Sequence, residues 1–344
     1  MNNTPRLDDF IPDNLTVTNE RRKLFHVFDK DDCYALWAAY SAGRPLLVRG
    51  EPGTGKSQMA QAIAEQLGWA FVSEVIRGNT ELDDLHHHYD AIGRLGEAQT
   101  RAMAEAAGNR ADGDPDRLNP LNFLSPGAFW WAYHWQSAEK QYNACRTRLR
   151  PAPEKPDPTA GKGIDWQPDS GGVVLLIDEI DKGEPDLPNG LLETLGQYCF
   201  TLPYINSREH TSEIPNPIRG NPSRLLIVIT TNEERELPRA FVRRCFVHTL
   251  KMEESEEKVD QVEKRYQWLI KRGRLHFGGR IAEDVYKEAA EQLWKDRAAN
   301  PHSQFLPGLA EYIDLLQALA DLDKKEQKQR LQDIKAYALK KEAQ

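Results

Sequence analysis

Cysteine is scarce in this chain: Cys33, Cys145, Cys199 and Cys245 are four in 344 residues, with no CxxC pair among them. That argues against a disulfide framework and against a cysteine-based zinc site. Long apolar runs are missing as well, none approaching the ~20 residues needed to span a bilayer, so no membrane association is expected. The opening MNNTPRLDDF has neither the cationic start nor the apolar run of a secretory signal. Together these absences predict a cytoplasmic protein. Positive charge is not in surplus either. With 45 Lys and Arg against 53 Asp and Glu the formal net charge is -8, a poor start for gripping a phosphate backbone, although an assembly can concentrate its basic residues in one place.

There is enough apolar material for a substantial core. Hydrophobic residues make up 40% and charged residues 28%, and the length suits one large domain or a core with a smaller attached domain. Four short runs read as buried strands of a parallel sheet: Pro45–Arg49, Phe71–Ile76, Val173–Ile177 and Leu225–Thr230, with Phe246–Leu250 a candidate fifth. Unbroken hydrophobicity without alternation is what a sheet covered on both faces requires. Behind the first run, Met59, Ala60, Ile63, Ala64 and Leu67 recur at helical spacing, so the pattern is strand, loop, helix, the signature of an α/β layer fold.

Two stretches break the pattern. Residues 101–120 are polar, and Arg150–Asp169 holds five prolines and two glycines; both are expected to be exposed loops of an insertion between the second and third strands. From about Glu254 the sequence turns charged and helix-forming, with candidate helices near 256–272, 281–296, 308–321 and 323–340. The expected division is an α/β core over residues 1–252, with an insertion at about 80–170, and an α-helical domain over 253–344.

The chemistry starts at Gly50-Glu51-Pro52-Gly53-Thr54-Gly55-Lys56-Ser57, which fits G-x-x-x-x-G-K-[ST] and sits between a strand and a helix. The glycines let the backbone curl its N–H groups toward a phosphate, and the helix N-terminus adds partial positive charge. In this reading Lys56 reaches the β- and γ-phosphates of ATP and the Ser57 hydroxyl ligates Mg2+. A chance glycine-rich turn would not need that strand and helix around it. Next, the apolar strand Val173–Ile177 ends in Asp178-Glu179, delivering two carboxylates to the sheet edge where open α/β folds bind ligands. Asp178 is expected to hold Mg2+ through water, and Glu179 to polarise the attacking water. Asp181 is expected to be a helix cap or a surface charge. A further strand end carries Asn232, an amide that can reach both water and γ-phosphate. Finally Arg243 and Arg244 precede the fifth strand; guanidinium forks suit phosphate, though spacing alone favours two surface arginines making weak salt bridges.

In order, GEPGTGKS, VVLLIDEID and IVITTNEERELPRAFVRRC resemble the AAA+ ATPases and, within them, the MoxR-like group. Leu82–Asp90 with Arg94-Leu95, Leu124–Ala132 and Pro188–Glu193 are similar to that group too. The resemblance is strong over residues 20–252. It implies a P-loop NTPase core, a five-stranded parallel sheet with helices on both faces, plus a C-terminal helical lid, assembled as a hexameric homo-oligomer with ATP between subunits. Asn232 then matches the position called sensor 1, and Arg244, with Arg243 as second choice, the arginine finger. An insertion over roughly 80–170 and a hairpin over Phe200–Pro222 would face the pore or one face of the ring. One feature departs from the family: Ser303–Gly308, where a sensor 2 cation is expected, has no basic residue.

Three features invite over-reading. The run His86-His87-His88 cannot turn three consecutive side chains onto one ion from a regular helix. The aromatic cluster Phe129–Trp135 could stack on bases, yet Trp131 and Trp135 at i, i+4 suit burial. The run Lys324–Arg330 reads as a solvated helix face. Taken together the expectation is a Mg-dependent ATPase that remodels or matures a protein partner, in this group often one with a metal-ion-dependent adhesion-type domain. The alternatives are a nucleic-acid motor or loader, against which the acidity argues, and a structural ring component that binds nucleotide without turnover.

Overall fold

The computed structural model describes residues 4–12, 16–19, 24–106, 115–146, 149, 151–158, 166–205, 214–252, 261–299 and 306–339. Its centre is a five-stranded sheet of β1 (Leu46–Arg49), β2 (Ala70–Val75), β3 (Val173–Asp178), β4 (Leu225–Thr231) and β5 (Phe246–Thr249). The strand order is β5-β1-β4-β3-β2, every pair is parallel, and all seven residues of β4 are buried. Side chains alternate between two cores, as the strand period demands. Leu46, Val48, Val174, Leu176, Leu226 and Val228 pack with α1 (Lys30–Ser41) and α2 (Lys56–Leu67). Leu47, Leu175, Ile177, Ile227 and Ile229 pack on the opposite face. Because β4 lies between β1 and β3, the carboxyl ends of three sequence-distant strands adjoin, and the site lies there.

The opposite face is covered by the insertion and by α6 (Leu187–Gln197). The insertion carries α3 (Ala91–Ala106), α4 (Ala128–Tyr133) and α5 (Trp135–Cys145), and His87–Tyr89 pairs antiparallel with Leu124–Pro126. The expectation of a loop from residue 101 fails at its start: α3 runs on to Ala106, because Arg101-Ala-Met-Ala-Glu-Ala106 is built of strong helix formers. Residues 107–114 and 159–165 of the two expected loops lie outside the described residues.

The aromatic cluster is core. Every residue of α4 is buried, Trp130 Nε1 donates to Ser137 Oγ at 2.8 Å and Tyr133 OH to the Thr194 carbonyl at 2.9 Å, and Trp131 meets Trp135 edge-on at 5.0 Å. Gly127 lets α4 approach this closely, since a Cβ there would lie 2.6 Å from the Asp84 carbonyl. The three histidines diverge. His86 is buried, stacked 4.3 Å from the Phe200 ring with Nε2 2.9 Å from Thr194 Oγ1; His87 is buried beside it; and His88 is turned outward, 3.3 Å from Asp84.

Four helices, α7 (Gln261–Phe277), α8 (Glu283–Ala299), α9 (Leu309–Leu319) and α10 (Lys324–Leu339), form the lid. Its core is separate and includes Leu269, Tyr286, Leu293, Tyr312, Leu316 and Leu331. The first lid helix extends past the expected end at 272, to Phe277. The run Lys324–Arg330 is not wholly solvated: Gln327 is fully buried and donates to the carbonyls of Arg280, Leu319 and Leu322 at 2.7, 3.2 and 3.1 Å. Before β4, Cys199–Phe200 and Ile218–Arg219 form an antiparallel pair, the base of the expected hairpin; residues 206–213 at its tip lie outside the described residues. A second short pair, Thr16–Asn19 with Leu24–Val27, leads into α1. Among the described residues no helix is long and apolar enough to cross a membrane.

Burial lowers the pKa of both His86 and His26 to about 4. Between that value and the ordinary 6.5 the unfolded chain takes up protons that the folded chain refuses, so stability falls as pH drops from 6.5 toward 4. The thermal midpoint is therefore expected to fall across that interval, and His86→Gln to fall less steeply than the parent; equal slopes in a melt-against-pH series would remove His86 as a source.

Candidate functional site

β1 delivers the chain to Gly50, and α2 begins at Lys56 with Gly55 as its N-cap. Gly50, Gly53 and Gly55 have φ of 148°, 75° and 92°, backbone that side chains other than hydrogen strain to adopt. Close approach adds to this at Gly50, where a Cβ would meet the Leu250 carbonyl at 2.5 Å. The loop curls around one end of a cavity of about 400 Å³. Pro52, Gly53, Thr54, Gly55, Lys56 and Ser57 line it, together with Asp178, Glu179 and Asn232. Residues 122 positions apart in the chain, Lys56 and Asp178, thus meet in one cleft.

Gly50 and Glu51 do not line the cleft; they support it. Lys56 Nζ donates to both of their carbonyls at 2.8 Å, and Thr54 Oγ1 donates to the Glu51 carbonyl at 2.9 Å. The Glu51 carboxylate turns away toward the lid. Lys56 is buried, and desolvation lowers its pKa against the opposing pull of Asp178, Asp181, Glu179 and Glu233.

Asp178, at the end of β3, receives the Ser57 hydroxyl at 2.9 Å on Oδ1 and 2.8 Å on Oδ2. Thr230 Oγ1, on β4, also donates to Asp178 Oδ1 and accepts the Glu179 N–H at 2.9 Å. Ser57 Oγ and the Asp178 carboxylate are hard oxygen donors side by side at a helix N-terminus, a set that fits Mg2+ beside a phosphate. Glu179 takes a left-handed φ of 57°, which departs from the strand direction. Its Oε1 accepts from Asn232 Nδ2 at 2.9 Å, so the amide expected to meet water and phosphate is here bonded to the carboxylate.

Asp181 corrects the expectation of a surface charge. It is buried, and its carboxylate accepts the backbone N–H groups of Asn232 at 3.3 Å and Glu234 at 2.9 Å, fixing the turn that presents Asn232. Thr230 was not singled out from the sequence either; its only signal was a hydroxyl breaking an apolar strand. Arg243 and Arg244 are exposed and do not line the cleft. Arg44, just ahead of β1, holds their loop by donating to both backbone carbonyls, at 2.9 Å to that of Arg244.

The far end of the cleft is formed by the segment before α1 and by the lid. His26 and Trp268 line it, and neither His26 Nε2 nor Trp268 Nε1 has a hydrogen-bond partner among the described residues. Arg272 also lines it, with its guanidinium carbon 3.6 Å from the Trp268 ring centre and Nη2 3.6 Å from Asp29. The lid thus brings a cation to the cleft, from a helix well before Ser303–Gly308.

A family model, the AAA domain of the dynein-related subfamily, matches residues 45–245. No curated protein matches the chain. Among solved structures, an ATPase candidate from Cytophaga hutchinsonii is 12% identical over 97% of this chain and 84% of its own, with a TM-score of 0.37, a likeness too slight to carry an argument. The family match runs from the residue before β1 to the one after Arg244 and takes in the phosphate-type loop, both carboxylates, Thr230 and Asn232. This chain therefore belongs to the AAA domain family, dynein-related subfamily, and is an ATPase.

Proposed function

We propose that the chain is one subunit of a hexameric, MoxR-like ring that hydrolyses Mg·ATP to remodel, activate or mature a partner protein, with an α/β core over residues 1–252 and a lid over 253–344. The observation that carries the ATPase half is the convergence of Lys56, Ser57, Asp178, Glu179 and Asn232 on one cleft. On this reading the loop Gly50–Ser57 holds the triphosphate, and Lys56 exchanges the carbonyls of Gly50 and Glu51 for β- and γ-phosphate oxygens. Mg2+, held by Ser57 and Asp178, would screen the phosphate charge. Glu179 accepts a proton from water as the water oxygen bonds to the γ-phosphorus and the bond to the departing ADP oxygen breaks. Asn232 holds the Glu179 carboxylate until phosphate draws it away. Arg244, or Arg243, acts on the neighbouring subunit's ATP; their exposure and their absence from the lining of their own cleft support a role in trans. The client half rests on the MoxR-like stretches of the sequence and, for a polypeptide over a nucleic acid, on the acidic balance.

Lys56→Ala is expected to lower ATP turnover by at least about a hundredfold, on the scale of losing one charge-stabilising group; a phosphate-release assay at near-parental rates would remove this lysine from the site. Glu179→Gln is expected to bind ATP with parental affinity and to retain it unhydrolysed, as read by nucleotide extracted after gel filtration, whereas recovery of ADP would assign the base elsewhere. Arg244→Ala is expected to bind ATP normally but turn it over slowly. Mixed with Glu179→Gln subunits, whose Arg244 is intact, it should regain part of its activity, and a strictly additive mixture would exclude donation between subunits.

A further inference from the structure

The side chain of Glu51 is the unusual member of the phosphate loop. A carboxylate this close to a triphosphate repels it unless neutralised, and the neutralising group comes from the lid. Arg297, on α8, closes a two-pronged fork on Glu51: Nη2 lies 3.0 Å from Oε1 and Nη1 3.0 Å from Oε2. Nη1 also donates to the Pro307 carbonyl at 2.9 Å, and the guanidinium carbon lies 5.4 Å from the Trp294 ring centre. The Arg297 side chain is only 7% exposed, against 48% for Glu51. The pair spans 246 positions of sequence, and among the described residues it is the ion pair that ties the lid to the phosphate loop.

Geometry gives this pair more than a holding role. The backbone carbonyl of the same Glu51 accepts both Lys56 Nζ and Thr54 Oγ1. One residue therefore bonds to the lid arginine through its side chain and to the cradle's lysine through its main chain. A shift of α8 relative to the core pulls on Glu51, and a shift of Glu51 moves the acceptor of the amine that must reach phosphate. The planar fork resists shear better than a single contact, since both bonds must break together. Gly53 lies in the same contact, where a Cβ would come within 2.9 Å of the Ala310 Cβ, so lid and loop touch directly beside the ion pair.

We infer that Arg297 is a positioning residue for ATP: through its fork on Glu51 it sets the shape of the phosphate loop, so that lid position and nucleotide affinity rise and fall together. This rests on the ATPase reading of the cleft above. The fork acts on binding rather than on the chemical step, because neither side chain lines the cleft where water and phosphate meet. Kinetically, its loss raises KM and the dissociation constant for ADP and leaves kcat close to parental.

The test is a double-mutant cycle on the full chain with Glu51→Gln, Arg297→Gln and both together, with Arg297→Lys and the charge swap Glu51→Arg with Arg297→Glu alongside. The readouts are KM and kcat for ATP, the affinity of a fluorescent ADP, and the thermal midpoint. Each single change is expected to weaken nucleotide binding about tenfold, and the double change no more than the worse single, as for two groups acting through one bond. Arg297→Lys keeps charge but not the fork and is expected to fall short of the parent, while the charge swap recovers affinity. Losses that multiply in the double variant would overturn the inference, as would a Glu51→Gln protein with parental KM and ADP affinity. Glu51 is half exposed, so that variant keeps its fold and decides the matter even if Arg297→Gln does not fold. A parent chain that binds no nucleotide would instead sink the ATPase reading, a different result from an active parent with an indifferent Glu51.

Discussion

Asp178 is the point on which the rest of the molecule turns. Its carboxylate ends β3 and is held by hydroxyls from the first turn of α2 and from β4, which fixes the phosphate loop and the two central strands to one another. A half-buried carboxylate in a cleft is steadied by such donors, and here they come from two segments that the sheet order brings to the end of β3. Thr230 extends the arrangement by one step. Its hydroxyl donates to Asp178 and accepts from the Glu179 backbone, so the left-handed turn at Glu179 is set by the residue that steadies Asp178. Asp181 does the same for the turn at Asn232. The two acidic residues read as chemistry and the one read as surface thus form a single hydrogen-bonded unit.

The core was legible because its signals are local. Five apolar runs, one glycine loop and one helical periodicity lie within short windows, and β-strands buried on both faces leave little ambiguity about their type. Parallel order could be expected from helices between strands, and Lys56, Ser57, Asp178, Glu179 and Asn232 each carry a strand-end or helix-start signature. The aromatic cluster's i, i+4 spacing likewise pointed to burial, and α4 is buried throughout.

What the sequence did not show depends on distant approach. Nothing near Asp181 reveals that two backbone N–H groups from the segment after β4 will bury it. Gln327 sits in a run of charges and yet is fully buried under three carbonyls from the turns around it. The cations that the lid brings toward the nucleotide cleft, Arg272 and Arg297, lie on the first two lid helices, where charged residues are common and spacing marks none of them. The short strand pair before α1, too, consists of four-residue pieces below the length at which a pattern is readable.

Arg44 joins two regions that the proposed ring would use in different pockets. Its guanidinium binds the carbonyls of Arg243 and Arg244, and the next residues are β1, which runs straight into the glycine loop. The segment Arg243–Arg244, proposed to serve a neighbouring subunit, and the glycine loop are therefore attached at opposite ends of one short strand. In the proposed ring such a strut would tie what a subunit offers next door to the posture of its own glycine loop.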